Sequence, residues 1–416
     1  MRRVYNQEIN KNVIFAAPIL SENANRIIDA AVRLDGVRLG VITQDPAHKL
    51  TSVVAQHWRV DDILDAAQLG WAVENVASRI GGADVIFAAY EQLQVPMAMV
   101  RERFGIEGMS VDAARNFRDK ARMKDLFVDH GLPCARHARI ENAEEALRFG
   151  YPMVYKPLEG AGARSTFRID NDDQLRDALR IAPPPVLLEE FVVGEEHSFE
   201  GVCVDGRLVW HSLTHYRPTP LEVLQNDWIQ WCIVLPREID DPRYDDIRVA
   251  AARALEVLGM RTGLCHLEWF RRRDGSIAIS EVAARPPGAQ IMDLVSYAHE
   301  IDFDEAWVRL MIDGTFEPPE RKWATGIAFL RGQDPSPLTP LPAGGERGKR
   351  IKALHRIEEV AREIGSLVVK AKLPSIGQAP ASGYEGEGFI IVRDRETRVV
   401  EAALEKIISL IRVELG

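Results

Sequence analysis

Long apolar runs, closely spaced cysteines and an excess of basic residues are all missing from this sequence, and each absence excludes a class of function. No stretch approaches the length of a bilayer span. The four cysteines, Cys134, Cys203, Cys232 and Cys265, are widely scattered, so neither a zinc knuckle nor a redox dithiol is spelled out. Buried thiols in a reducing compartment are the simpler reading. Acidic residues outnumber basic ones by 62 to 52, giving a formal net charge of -10. Nucleic acid or an anionic membrane would therefore meet net repulsion, while a small anion in a local basic pocket is still admitted. Arg2 and Arg3 are followed by a polar stretch at 6–10 instead of an apolar one, which reads against a signal peptide and for a cytoplasmic location. Two phosphate-binding fingerprints are lacking as well. No Gly-x-Gly-x-x-Gly follows the first apolar segment, and no Gly-x-x-x-x-Gly-Lys-Ser/Thr occurs.

What is present is a chain of 416 residues, 46% hydrophobic and 27% charged, enough for two or three ordinary domains. Short apolar strands at 13–17, 39–43 and 84–88 alternate with helical patterns at 21–34, capped by Ser21, and 71–80. This alternation predicts an α/β fold opening with a parallel sheet covered by helices. Gly105 and Gly108 mark a junction, followed by a predicted helix at 115–130 that Gly131-Leu132-Pro133 ends. A strand at 153–157 leads into the loop 159–166, a short helix at 172–180 and a strand at 186–189. An antiparallel hairpin over 199–216 turns at Asp205-Gly206. A helix at 246–258 precedes a second hairpin, and the tail from Arg321 mixes short strands with a terminal helix at 397–411. The Pro- and Gly-rich stretch 335–348 reads as a surface loop.

The second hairpin carries the first chemical signal. With Asp274-Gly275 as a two-residue turn, Arg273 pairs with Ser276, and counting outward sets Glu268 directly opposite Glu281. Directly paired residues share a sheet face, with Cβ atoms roughly 4.5–5.5 Å apart. Two carboxylates so close in apolar surroundings repel unless a cation lies between them or one is protonated. Mg²⁺, with Mn²⁺ as an alternative, answers this by taking carboxylate and phosphate oxygens. Pairing of each acid with an arginine, or exposure of one, is the plainer reading. His266 falls opposite Ala283, where a neutral imidazole could bond a carboxylate or phosphate oxygen, or serve structure alone.

Lys156 ends a strand just before the loop containing Gly160, Gly162, Ser165 and Thr166. Small residues and hydroxyls of this kind admit phosphate to backbone N–H groups, and a buried lysine at a strand end needs an anion. Glu189, Glu190, Glu195 and Glu196 surround an apolar Phe191-Val192-Val193. That arrangement suits ribose and adenine, or simply a solvated turn.

The order of these pieces resembles the ATP-grasp superfamily of ligases. It runs through Asp119-Lys120, Tyr155-Lys156-Pro157, Glu189-Glu190-Phe191 with Gly194-Glu195-Glu196, His266-Leu267-Glu268 and Glu281-Val282-Ala283-Ala284-Arg285-Pro286-Pro287-Gly288. The resemblance covers about 115–315 directly and is nearest to L-amino-acid ligases and carnosine-synthase-type enzymes. It implies an ATP-grasp fold in four parts. These are an N-terminal open parallel α/β domain (1–112), a small lobe with a phosphate flap (113–185), a core lobe with the magnesium site (186–318) and a C-terminal α+β subdomain (319–416).

By position, the resemblance implies that Lys120 and Lys156 hold nucleotide phosphates beneath a flap at 160–166. Glu189, Glu190 and Val192 would read adenine, chiefly through backbone atoms, and Glu196 would hold the ribose. Glu268 and Glu281 become magnesium ligands, and Arg285 approaches the acyl phosphate or substrate carboxylate. His215, at the end of a strand, is a further candidate contact, as are Trp228 and Trp231 for substrate. Ala283 departs from the family pattern, which has an Asn ligand there, so more water or His266 must substitute. The implied reaction joins a small, amino-acid-like carboxylate to an amine through an acyl phosphate, releasing ADP and phosphate. A bicarbonate-using carboxylase and a non-catalytic ATP-binding protein are the rivals. No nucleic-acid or membrane partner is expected, and a homodimer is left open.

Overall fold

The computed structural model describes residues 11–160, 165–226, 228–333, 349–381 and 383–416. Residues 1–10, Gly162 of the flap and the loop at 335–348 lie outside the described residues.

The chain opens with strands Lys11–Ala17 (β1), Val37–Thr43 (β2), Gln56–Arg59 (β3) and Val85–Phe87 (β4), a parallel sheet in the order β3-β2-β1-β4. Helix Glu22–Arg33 (α1) covers one face, and Ala66–Ile80 (α2) with Gln94–Phe104 (α3) the other. Alternation along β1 explains its unbroken apolar run. Val13, Phe15 and Ala17 enter the core beneath α1, while Ile14 and Ala16 enter that beneath α2. The Ser21 hydroxyl accepts from the Ala24 N–H to cap α1. The second helix starts earlier than predicted because Asp65 caps it through the N–H groups of Ala67 and Gln68.

The single helix predicted at 115–130 is two helices, Val111–Arg118 (α4) and Lys120–Asp129 (α5). Asp119 is extended (φ -88, ψ 107) and caps α5 through the Ala121 and Arg122 N–H groups. That break sets Lys120 in the first turn of α5. Strands His137–Ile140 (β5), Met153–Pro157 (β6), Phe167–Ile169 (β7) and Val186–Glu190 (β8) form an antiparallel sheet ordered β5-β8-β6-β7. Helices Ala143–Leu147 (α6) and Asp172–Ile181 (α7) pack on it.

The central sheet begins with Gly194–Val204 (β9), Arg207–Arg217 (β10), Trp231–Leu235 (β11), Gly263–Arg272 (β12), Ile277–Ala283 (β13) and Ala324–Leu330 (β14). Gly332–Gln333 (β15) and Ile351–His355 (β16) follow, and then Val368–Lys372 (β17) and Gly388–Asp394 (β18) complete the central sheet. Its order is β13-β12-β9-β10-β11-β14-β18-β17, antiparallel throughout. Strands from both sides of residue 318 therefore share one sheet. Between them come Pro220–Gln225 (α8), Asp245–Leu258 (α9), Ile291–His299 (α10), Phe303–Asp313 (α11) and Ile357–Ile364 (α12), and finally Thr397–Leu410 (α13). An unforeseen last strand, Arg412–Leu415 (β19), joins β15 and β16 in a small separate sheet.

Period-two alternation divides the roles across β9, β10 and β12. Phe199, Leu213, Leu267 and Trp269 face the core shared with α5 and α9. The intervening residues face the opposite way, and they form the floor of the site.

Candidate active site

A cleft of about 1410 Å³ is lined by the small antiparallel sheet, the central sheet, the first domain near Glu91 and the segment 383–385. Its floor displays Glu196 from β9, His266, Glu268 and Phe270 from β12, Glu281 and Ala283 from β13, and Tyr216 from β10.

Glu268 does lie directly opposite Glu281, and His266 opposite Ala283, but not by the turn the sequence suggested. Arg271 pairs with Ile277, so the connection is one residue longer than an Asp274-Gly275 turn allows. A bulge at Ser280, between the Trp269–Ile279 and Glu268–Glu281 pairs, restores the register. The extra turn residue and the bulge cancel, leaving both carboxylates on the cleft face.

The acids are held by cations. Lys120 Nζ lies 2.9 Å from Glu281 Oε1 and donates to the Gly160 carbonyl at 3.0 Å. Glu189, which lines the cleft, has its buried side chain between Lys156 Nζ at 2.9 Å and Lys124 Nζ at 3.1 Å. Burial works against charge on Lys156, yet Glu189 and Glu281 outweigh it and raise its pKa. Lys124, fully enclosed, is pushed down by burial despite Glu189. The Glu189 carboxyl is pushed up by burial but is held below its ordinary value by the two lysines. Glu190 pairs with Arg272 at 2.8 Å. Phe191, Val192 and Val193 then link β8 to β9 along the cleft edge, with the Arg168 guanidinium 4.3 Å over the Phe191 ring. Gly194 starts β9 because a Cβ there would meet the Arg271 carbonyl oxygen at 2.3 Å.

His266 meets carboxylates, one of its expected contacts, through both ring nitrogens. Its Nδ1 meets Glu200 Oε1 at 2.9 Å, and its Nε2 lies 3.6 Å from Glu268 Oε1. Burial lowers its pKa, but the two carboxylates overcome that and carry it to about 9. Glu200, wholly buried, also accepts from the Ser198 hydroxyl at 2.6 Å and the Thr214 hydroxyl at 2.9 Å. Glu268 is raised by burial and brought below the usual range by His266, Lys156 and Arg285. Burial and the charge of Glu268 push Glu196 well above its ordinary value.

Arg285 extends from the end of β13 to Glu91 of the first domain, with both its Nε and Nη2 3.1 Å from Oε2. Arg118 donates to the other oxygen of Glu91 and lies 3.3 Å from Glu159 at the start of the flap. Ser165 and Thr166 line the cleft, Ser165 in the left-handed region at φ 54.

His215 must be withdrawn as a site residue. It occupies the core-facing parity of β10, where its Nε2 meets the Tyr244 hydroxyl at 3.0 Å and its ring packs 4.7 Å from His197. Burial and nearby arginines depress it to about 4. Its neighbour Tyr216 faces the cleft instead. Trp228 is exposed, whereas Trp231 lies under the cleft wall. Glu91, Arg118, Lys124 and Glu200 were not foreseen. Lys124 alone had a local signal, one helical turn after Lys120.

The opposed acids fit a hard divalent cation. Among the described residues no group of three or more His, Cys, Asp or Glu could enclose a metal ion. A cation held by Glu268 and Glu281 would therefore complete its shell with phosphate oxygens and water, the ligand set Mg²⁺ prefers.

Residues 125–293 match the ATP-grasp domain family. The chain is 24% identical over 292 residues to an L-arginine-specific L-amino acid ligase of Bacillus subtilis, covering 67% of this chain and 70% of that one. An alanine–anticapsin ligase of Bacillus subtilis strain 168 is 26% identical over 56% of this chain and 55% of its own. Among solved structures, an L-amino acid ligase from Bacillus licheniformis superposes with TM-score 0.73 at 18% identity, covering 97% and 98% of the two chains. N5-carboxyaminoimidazole ribonucleotide synthetase from Thermotoga maritima follows at 0.70 and 18%, covering 97% and 99%.

The fold is that of the ATP-grasp structures on which the chain superposes, and residues 125–293 carry an ATP-grasp domain. Its relatives are ligases, and its class is that of the ATP-dependent carboxylate–amine ligases. No helix among the described residues is long and apolar enough to cross a membrane.

Proposed function

We infer that this chain activates a small, amino-acid-like carboxylate with Mg-ATP and delivers its acyl group to an amine. The observation that carries the reading is Glu268 facing Glu281 on the cleft floor, with Lys120, Lys156 and Arg285 around them. A substrate carboxylate oxygen attacks the γ-phosphorus, the bond to ADP breaks, and an acyl phosphate forms. The amine nitrogen then attacks the acyl carbon, phosphate departs with the C–O bond, and the nitrogen loses a proton. Mg²⁺ (or Mn²⁺) on Glu268 and Glu281 supplies neutralisation of phosphate charge. Lys120 and Lys156 exchange their carboxylate partners for phosphate oxygens, and Arg285 offsets charge on the transferring group. Val192 meets adenine through its backbone, Glu196 meets the ribose, and the flap around Gly160, Ser165 and Thr166 excludes water that would hydrolyse the intermediate. His266, tied to Glu200, holds Glu268 where the family's Asn is replaced by Ala283.

ADP release should appear when Mg-ATP, a carboxylic acid and an amine are all present, and a screen of amino acids and small acids with and without amines tests this. The likeness to carboxyaminoimidazole ribonucleotide synthetase supports one other reading, carboxylation of an amine with bicarbonate. ADP release that needs bicarbonate and no other acid would select it.

A further inference from the structure

The cleft wall following Arg285 changes character. Tyr216 and Trp231 pack with ring centres 6.1 Å apart, and Tyr384 meets Trp231 edge-on at 5.7 Å. Trp231 Nε1 donates to the Tyr384 carbonyl at 2.6 Å, fixing the segment that closes this end. Leu221, Leu224 and Ile291 add apolar lining. Into the same recess comes Glu385, whose oxygens accept from two neutral donors, the Ala289 N–H and Gln290 Nε2, each at 3.3 Å.

A carboxylate at an apolar wall, with neutral donors in place of a cation, favours a bound ammonium group. The charge distribution also bears on what cannot bind. Lys120 and Lys156 are engaged at the acidic floor, and Arg285, itself paired with Glu91, is the guanidinium adjoining this recess, with Glu385 and Glu222 in its lining. A phosphorylated acceptor calls for clustered cations, whereas an amino acid calls for one cation and one anion flanking its α-carbon.

We propose that this recess binds an α-amino acid with a large apolar or aromatic side chain as the acyl donor. Its ammonium group sits on Glu385, its side chain lies against Tyr384, Leu221 and Leu224 over the buried Tyr216 and Trp231, and its carboxylate turns toward Arg285. The inference rests on the ligase reading above and narrows its substrate.

Hydroxylamine, which converts an acyl phosphate to a stable hydroxamate, reports the donor independently of the natural amine. With the full chain and Mg-ATP, L-phenylalanine, L-leucine and L-methionine should exceed glycine, L-aspartate and L-arginine by about tenfold or more in kcat/KM. Glu385→Gln should raise KM for L-phenylalanine about tenfold, leave KM for ATP near wild type, and lessen the preference for L-phenylalanine over 3-phenylpropanoate. Hydroxamate from small or charged donors alone, or an unchanged KM in Glu385→Gln, overturns this inference and spares the ligase reading. No hydroxamate from any carboxylic acid overturns both.

Discussion

Ala283 stands where the resemblance implies an Asn ligand, and on the reading proposed above His266 makes up for it. His266, opposite Ala283, lies between buried Glu200 and Glu268. Partners that orient a metal ligand typically carry 10–100-fold in affinity or activity. Glu200→Gln should accordingly lower kcat about 10- to 100-fold with KM for ATP little changed, and full activity would reduce Glu200 to a core residue. Glu281→Ala should cost roughly 10³-fold in turnover while circular dichroism shows an intact fold. Wild-type turnover would remove Glu281 from the site. The acids at 268 and 281 were legible because one hairpin holds both, and counting residues reaches across it. Glu200 was not, because its bond to His266 joins strands whose contacting residues are 66 positions apart. No local pattern encodes that pairing.

At the scale of single elements, two corrections come from the same cause: a local choice of backbone decides where a side chain points. The break at Asp119 was hidden by a continuous helical pattern, although Asp before Lys120 is itself a capping signal. Asp119→Ala should cost about 1 kcal/mol in urea unfolding and raise KM for ATP through misplacement of Lys120. The strand β10 was recognised, but its faces were not assigned. Counting from the Asp205-Gly206 turn would put His215 opposite Glu196, but a bulge at Val209 shifts the register by one, so His215 pairs with His197, on the face away from Glu200. Both imidazoles are depressed chiefly by burial, to about 4 for His215 and about 3 for His197. Between pH 6.5 and 4 the unfolded chain therefore binds more protons than the folded one. The stability that His215 confers is complete above about pH 6.5 and is lost as pH falls toward about 4. His215→Gln should flatten this acid limb by roughly 3 kcal/mol and keep turnover at pH 8 within about threefold of wild type. An unchanged acid limb, or a collapse of kcat with the fold intact, would contradict the assignment.

Across the whole molecule, Glu91 connects regions that the sequence presents as separate. The buried carboxylate bonds Arg285 at the end of β13 and Arg118 at the end of α4, and Arg118 reaches Glu159 beside the flap. Removing it takes the carboxylate from Arg285 and leaves Arg118 with Glu159 alone. Glu91→Ala should lose about 3–5 kcal/mol in urea unfolding. The sequence showed an α/β beginning and an antiparallel continuation because apolar periodicity is local. It did not show that strands on both sides of residue 318 share one sheet, or that the first domain supplies the counter-ion of Arg285. Such facts arise when distant segments pack.

The central claim is that a carboxylic acid is phosphorylated before the amine attacks. It is tested most directly by supplying the active acid with ¹⁸O in its carboxyl group and analysing the released phosphate by mass spectrometry. The account predicts ADP, with one carboxyl oxygen carried into each phosphate released. Unlabelled phosphate, or AMP and pyrophosphate in place of ADP and phosphate, would contradict it.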